Sequence, residues 1–417
     1  MLTLFNSMGR RLEVFKPMNV GEVKMYTCGP SIYLLPHIGN YRTFLYEDLL
    51  QRYLEYRGFR VDRVLNVTDV EDKALAQAEK EGVSLKELTD RNFDVFLDEL
   101  KKLRVKKPDH LPRSSTSVDA AVDLVEKLLE KGYAYWHRGN VYYDPLKFKG
   151  FGRLYGLDMT KWPQEKRRFH KDTYPGNRWN RGDFILWKGY TTGEKAYWET
   201  RIGKGRPAWN VQDPAMAMRY LGPKVDIACG GVDNMIRHHD YIIAVAEGAT
   251  GEEFARYWLH GAHLHVNGKK MSKSLGNIIY PRDLVKKGYE WGQIRFFLFY
   301  GHYRKILNYT PEKFEKTVEK LRKLQTMIEE LQETMDLGEK PSREARNLVS
   351  SIKADFEKNM DNDLHVKDAF DSINKTVSRL LVLKKKGQIG SEEARRALAE
   401  LRRIDGVLQV LFQKPAN

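Results

Sequence analysis

Two short runs in the chain carry residues able to do chemistry on a nucleotide. Near residue 270 the sequence reads G-K-K-M-S-K-S-L-G-N, and far upstream it reads P-H-I-G-N-Y-R. Attack on the α-phosphate of a nucleoside triphosphate builds extra negative charge at a pentavalent phosphorus. The ammonium groups of Lys270 and Lys273, the Ser272 hydroxyl and a His37 imidazole at a helix N-terminus are groups that stabilise such charge. Each run alone reads equally well as structure, one as a solvated lysine loop and the other as a histidine helix cap. Their order favours chemistry. His37 follows a strand-like stretch, Glu22 to Thr27, and a Gly-Pro turn, and it precedes the amphipathic run Phe44 to Tyr56. The lysine loop comes about 230 residues later, after a second alternation of strands and helices, as the two halves of a nucleotide fold require.

The elements that must position these groups follow from the apolar pattern. Val23 to Thr27, the helix after His37, Val61 to Asn66 and the helix after Asp69 make residues 1–110 half of a parallel sheet. Punctuation from Pro108 to Pro112 opens an insertion, residues 111–205, with a helix over Ser117 to Lys131 and the strand-like runs V-Y-Y-D and D-F-I-L-W-K. Residues 206–275 resume the alternation, and V-D-I-A-C-G-G-V-D reads as a strand ending in glycines, where a ribose or phosphate can approach the backbone. A short segment, residues 276–312, leads into residues 313–417. There, amphipathic runs such as Lys316 to Met335 and Glu392 to Phe412, with a K-K-K-G turn at Lys384 to Gly387, predict a helical bundle. The fold class is α/β: a Rossmann-like core with an insertion, followed by an α-helical bundle.

Composition narrows the partners. The chain has 417 residues and 41% hydrophobic content, enough for several cores, with 71 Lys and Arg against 56 Asp and Glu, a formal charge of +15. That excess suits a phosphate-rich partner such as tRNA. A thermophile's charged surface is the competing reading, but it would raise carboxylates equally. Two isolated cysteines, Cys28 and Cys229, exclude a disulfide scaffold and point to a reducing compartment. No apolar run reaches membrane-spanning length and the first residues lack a signal peptide's core, so a cytoplasmic protein is expected.

The motifs together resemble the cysteinyl-tRNA synthetases, a family of class I aminoacyl-tRNA synthetases. Y-T-C-G-P-S-I-Y precedes H-I-G-N-Y-R; then come N-V-T-D-V-E-D-K, D-F-I-L-W-K, G-K-G-R-P-A-W, V-D-I-A-C-G-G-V-D, R-H-H-D, Y-W-L-H, K-M-S-K-S-L-G-N and Y-R-K-I-L-N-Y-T, in the family's order, and M-D-N-D-L in the bundle is similar to its M-D-D-D-F. The resemblance implies a ligase that forms an aminoacyl-AMP intermediate from ATP, with Mg²⁺, and passes the amino acid to tRNA. It implies that His37 and Asn40 meet the ATP phosphates, that Gly29, Gly39 and Met271 line the nucleotide site, and that Gly230, Gly231 and Asp233 meet the ribose or adenine. The loop supplies Lys270, Ser272 and Lys273, and residues 276–312 form a stem-contacting segment. Cys28, Thr68, Asp69, Trp209, Asp213 and His238 form the amino-acid pocket.

That pocket departs from the pattern. The family selects cysteine with a zinc ion held by two Cys, a His and a Glu. Here Cys28 and His238 remain, but the second Cys position is Asp213 and the Glu position is Ile242. W-N-V-Q-D stands for W-H-I-E-C, and D-I-A-C-G-G for D-I-H-G-G-G. Asp can bind zinc and three protein ligands leave an open site, but Ile ligates nothing. His239 is an awkward substitute, since neighbours on a helix project about 100° apart. The expectation is a closed, metal-free pocket in which Asp213 and His238 hydrogen-bond a polar substrate, so that the preferred amino acid is no longer cysteine. Asp213 favours a side chain bearing a donor or an amine, while Asn210 and Gln212 keep a neutral polar side chain open. Cys28 also reads simply as a small buried residue at a strand end.

The chain ends soon after V-L-Q-V-L-F, so the family's small anticodon-reading domain is expected to be missing. This keeps two other functions open: a ligase joining an amino acid to a small-molecule amine, and a non-catalytic RNA-binding paralogue. Oligomeric state, amino acid and acceptor stay undefined by the sequence.

Overall fold

A computed structural model describes residues 1–159, 182–333 and 342–412 of the chain. Its centre is a four-stranded sheet of β3 (Glu22–Thr27), β4 (Arg60–Leu65), β10 (Val225–Gly231) and β11 (Ala255–Gly261), counted in chain order after the ribbon β1 (Thr3–Asn6) and β2 (Arg11–Val14). Every pair in it is parallel, in the order β11-β10-β3-β4. The carboxyl-terminal halves of β3 and β4 are buried, and V-D-I-A-C-G of β10 is buried throughout. Helix Ile38–Tyr56 joins β3 to β4, and helix Asp240–Thr250 joins β10 to β11. The crossovers therefore leave the β3–β10 pair in opposite directions and open a crevice at the carboxyl ends of these strands.

The expected insertion forms an antiparallel sheet, β5 (Ala134–His137), β6 (Asn140–Tyr143), β7 (Phe184–Gly189), β8 (Trp198–Thr200) and β9 (Gly203–Pro207), in the order β5-β6-β7-β9-β8. V-Y-Y-D and D-F-I-L-W-K fall on β6 and β7, and helices Val118–Glu130 and Trp209–Leu221 share a core with them. Residues 160–181 of this segment lie outside the described residues. A small third sheet joins β12 (Leu264–Val266), β13 (Lys269–Lys270) and β14 (Leu307–Tyr309).

Four helices follow among the described residues: Pro311–Gln332, Arg343–Met360, Val366–Lys385 and Ser391–Leu408. The first starts earlier than its apolar pattern suggested, because Thr310 caps it and Pro311 takes the first turn, where a missing N–H costs nothing. The expected end at Met335 lies outside the described residues. The bundle is not a separate body. Leu321, Phe356 and Leu401 pack in one continuous core with Tyr53, Phe296 and Met25 of the catalytic half.

One polar joint fixes that junction, and a second ties the segment before the bundle to the core. Asp363 accepts from Phe5 N–H at 2.9 Å, Tyr303 Oη at 2.7 Å and Arg304 Nε at 2.7 Å, tying the bundle to the ribbon and to the loop before β14. Arg42, five residues after His37, is 5% exposed and donates to four main-chain carbonyls: Ala262 at 3.2 Å, Leu298 at 3.1 Å, His302 at 3.3 Å and Lys305 at 2.6 Å. No helix among the described residues is long and apolar enough to cross a membrane.

Candidate active site

The crevice holds a cavity of about 240 Å³. His37, Gly39 and Asn40 line it from the start of one helix, Gly231 and Asp233 from the end of β10, and Lys270 and Met271 from the lysine loop. The two chemistry-bearing runs, remote in sequence, thus face one space.

His37 caps its helix, as one of its two sequence readings expects. Its backbone is extended, and its Nδ1 accepts from Gly39 N–H at 3.1 Å and Asn40 N–H at 3.3 Å, while Asn40 Oδ1 accepts from His37 N–H at 3.0 Å. A ring whose Nδ1 accepts is, when neutral, the Nε2–H tautomer, so the cap itself aims a donor away from the helix. Burial lowers the His37 pKa, which favours that neutral form. Asn40 spends only its oxygen on the cap and keeps its amide donors.

The loop is built as a hairpin. Asn267 and Gly268 both take positive φ, 51° and 77°, the Asn-Gly turn that matches strand twist between β12 and β13. Asn277, the last residue of the quoted lysine run but given no role there, clamps the hairpin's outgoing strand: its Oδ1 accepts from Ser272 N–H at 2.9 Å and its Nδ2 donates to Lys270 O at 3.2 Å. Lys270 Nζ stands 3.8 Å from Asp233 Oδ2. Met271 covers Gly39 so closely that a Cβ there would meet its Cε at 2.7 Å. The side chain of Lys273 lies outside the described residues.

Glycine is required at two further places. A Cβ on Gly29 would stand 1.6 Å from the Asn66 carbonyl oxygen, and one on Gly230 would stand 2.7 Å from the His239 ring. Tyr46, a residue without a sequence signal, pins β10 at this point by accepting from Gly230 N–H at 3.1 Å and donating to either Gly230 O, at 2.9 Å, or Leu259 O, at 3.1 Å.

Beyond Gly29 lies a buried polar cluster. Cys28 Sγ is 2.9 Å from His238 Nε2, His238 Nε2 is 3.0 Å from Asp213 Oδ2, and Sγ to Oδ2 is 3.8 Å. Tyr26 Oη stands 3.2 Å from the same Asp213 oxygen and 3.1 Å from Asn66 Oδ1. Trp209 lies over His238, ring centroids 5.2 Å apart. Burial works against a charged His238, but Cys28 and Asp213 outweigh it and raise its pKa well above the ordinary value. Burial pushes the Cys28 thiol up, with His238 pulling the other way. Asp213 Oδ1 and Asn66 Nδ2 are buried with no hydrogen-bond partner among the described residues.

Asn210 donates to Ile185 O at 3.0 Å and Gln212 to Val70 O and Pro207 O at 3.0 and 2.9 Å, while Asn210 Oδ1 and Gln212 Oε1 are buried with no hydrogen-bond partner among the described residues. Several expectations are corrected here. Asp69 is in place near β4 but its carboxylate is already engaged by Arg113 Nε, Ser114 Oγ and Ser115 Oγ at 2.7, 2.7 and 2.5 Å. Thr68 pairs through its main chain with Pro30 and Ile32. His239 is not turned away from His238, because these residues precede the regular helix: Ile236 is extended, Arg237 has φ 66°, and the helix proper starts at Asp240. The donors of Cys28, His238 and His239 consequently lie within 4.8 Å of one another. His239 Nδ1 pairs with His260 Nε2 at 2.8 Å, leaving Nε2 buried without a partner among the described residues.

These residue types suit zinc, but their arrangement does not fit the four-ligand site. Ile242 packs in an apolar cluster with Tyr26, Ala228 and Trp258.

A parallel sheet whose switch point faces a histidine-capped helix and a lysine hairpin defines a class I aminoacyl-tRNA synthetase core. The model of the family described as tRNA synthetases class I (C) catalytic domain matches residues 14–319. The cysteine–tRNA ligase of Chlamydia pneumoniae is 37% identical over 98% of this chain and 86% of its own length, and that of Thermococcus onnurineus is 37% identical over 89% and 78%. The chain belongs to the cysteinyl-tRNA synthetase family, and it is an aminoacyl-tRNA synthetase-type ligase forming an aminoacyl-adenylate. Among solved structures, Mycobacterium tuberculosis methionyl-tRNA synthetase with methionyl-adenylate superimposes with a TM-score of 0.66 at 16% identity, covering 94% of this chain and 90% of that one, which shows the shared fold.

Proposed function

We propose that the chain charges tRNA with an amino acid other than cysteine, selected by hydrogen bonds in a pocket that works without zinc. The unpartnered Asp213 Oδ1 carries this reading. A buried carboxylate oxygen with no donor costs about 1–3 kcal/mol or more, and a substrate side chain bearing N–H or O–H removes that cost. Asp213 Oδ2 is meanwhile committed to His238 and Tyr26, so Oδ1 is the free acceptor.

In the activation step the substrate carboxylate oxygen forms a bond to the α-phosphorus as the bond to pyrophosphate breaks. His37 Nε2–H and the Asn40 amide meet the phosphates, while Lys270, Ser272 and Lys273 follow the pyrophosphate; Mg²⁺ arriving with ATP would supply further neutralising charge. Gly29, Gly230 and Gly231 let the nucleotide approach the strand ends, and Asp233 meets its ribose. Trp209 walls the side-chain pocket. No protein nucleophile is needed.

Amino-acid-dependent pyrophosphate exchange, run with each amino acid and accompanied by metal analysis, tests this. The expected result is a best substrate with a side-chain donor and no stoichiometric zinc. Stoichiometric zinc with cysteine as best substrate would overturn it, and would make Cys28, Asp213 and His238 an open three-ligand site.

A further inference from the structure

Glu99 lies near the end of helix Leu85–Lys102 and is 2% exposed. Its neighbours on that helix, Phe96 and Leu100, pack with Ile38, Tyr41, Met271 and Leu284 in one buried apolar cluster. Both of its carboxylate oxygens are used. Oε2 accepts from Tyr41 Oη at 2.6 Å, on the helix that begins with the His37 cap. Oε1 meets Arg282 Nε at 2.7 Å, in the first turn of helix Pro281–Lys286, which follows the lysine loop. Beside this bridge, Ile38 N–H donates to Ile279 O at 3.0 Å. The chain leaving the lysine loop is therefore rooted twice on the helix that carries Asn40, once by main chain and once through Glu99. Glu99 does not line the nucleotide cavity, so any influence on the chemistry reaches it through these elements.

We propose that Glu99 is a positioning residue for adenylate formation: by bridging Tyr41 and Arg282 it sets the root of the lysine loop against the His37 helix, so that Lys270, Ser272 and Lys273 close on the phosphates. The proposal rests on the reading that the lysine loop acts on the transition state. Packing alone would hold these helices together, and apolar side chains of similar volume stabilise such a contact as well as a buried ion pair does. What the carboxylate adds is direction. Hydrogen bonds on its two oxygens fix where their donors stand relative to each other, whereas apolar contact is non-directional and lets surfaces slide. Placement counts here, because a shift of about 1 Å in a catalytic group can cost about 100-fold in rate. Arg282 also lies 3.5 Å from Asp98 Oδ2, but those side chains are 44% and 43% exposed, so solvent screens that contact and Glu99 carries the constraint.

Pyrophosphate exchange by the full chain, with whichever amino acid proves best, tests it alongside thermal melts. Glu99→Gln keeps the side chain's shape, but an amide cannot accept from both Tyr41 and Arg282 as a carboxylate does. It should lower kcat about tenfold, with KM for ATP and for the amino acid within about twofold. Arg282→Gln cuts the same bridge from its exposed end, where the fold is not at risk, and should give a similar loss. Asp98→Asn removes the same charge next door and should leave exchange within about twofold. In a Lys273→Ala background, Glu99→Gln should add about threefold or less, because a group that it positions is already gone. The full loss on top of Lys273→Ala, or a raised KM with kcat unchanged, would make Glu99 a scaffold residue and overturn the proposal. So would equal losses in Glu99→Gln and Asp98→Asn, which would reduce the effect to net charge. If Lys273→Ala exchanges at the unaltered rate, the reading of the loop falls and takes the role of Glu99 with it. If Lys273→Ala is slow while Glu99→Gln and Arg282→Gln are normal, only the role of Glu99 falls.

Discussion

Asp213 Oδ2 and Tyr26 Oη lie 3.2 Å apart within the buried polar cluster between the sheet and the helix Trp209–Leu221. The hydroxyl has a second acceptor, Asn66 Oδ1 at 3.1 Å, but a single proton to give. Tyr26 therefore supplies at most part of what the Asp213 carboxylate needs, and His238 on its other side supplies the rest. The carboxylate is held in place by groups that belong to the fold, which frees its remaining oxygen for discrimination.

Replacing Asp213 should separate side-chain recognition from nucleotide handling. In pyrophosphate exchange, Asp213→Asn is expected to raise the KM of the preferred amino acid at least tenfold, about 1.4 kcal/mol or more, with ATP KM within about twofold. A rise in both constants together would place Asp213 in the scaffold rather than the pocket.

The lysine loop is expected to act on the transition state. Lys273→Ala should cut the exchange rate by about 100-fold, as loss of one preorganised charged donor does at roughly 3 kcal/mol, while ATP binding weakens far less. A rate near that of the unaltered chain would make the loop a solvated turn.

Gly29→Ala tests the packing behind the pocket. Its Cβ would meet a main-chain oxygen, Asn66 O, which cannot swing aside as a side chain would. Loss of amino-acid-dependent exchange is expected with a lowered melting temperature, since β3 and the Asn66 turn must part. A variant that melts and turns over normally would mean that the two backbones yield freely.

Asp363 gives the junction a pH dependence with a definite sign. Burial raises its pKa, but His302, the Phe5 N–H, Tyr303 and Arg304 outweigh this and hold it below the usual carboxylate value. A depressed folded pKa contributes stability that is present above the unfolded value of about 3.9 and lost as pH falls through the folded one. Asp363→Asn keeps a residue tolerant of φ 54° and removes the charge. It should destabilise the chain by about 2–4 kcal/mol at pH 7, and the difference should shrink below about pH 4. Denaturant titrations at the two pH values check this; a constant difference would assign the loss to hydrogen bonding alone.

The residues expected to meet a nucleotide come together around one cavity, because a capping histidine and glycines at a strand end are local devices. His37, Asn40, Gly231 and Lys270 needed only the parallel-sheet inference to be brought together. The amino-acid side was harder to read. Whether Asn210 or Gln212 faces a pocket depends on distant carbonyls such as Ile185 O and Val70 O, which no local pattern announces. The His238–His239 error came from extending helical projection into residues where Arg237 has already broken the helix. Tyr46 and Asn277 were missed because their work is done on main-chain groups far along the chain or just outside the expected set.

The Arg42 guanidinium has a mechanical consequence. One rigid planar group closes carbonyls from a strand end, a helix end and two loop residues, so moving the segment 298–305 away from the sheet at that joint would strand several acceptors in a single motion. Slow amide exchange over residues 298–305 and around Ala262 should then open in concert, as one unit. Motion in the catalytic cycle has to be found in parts with lighter moorings, and the hairpin that Asn277 and Met271 hold by a few contacts is such a part.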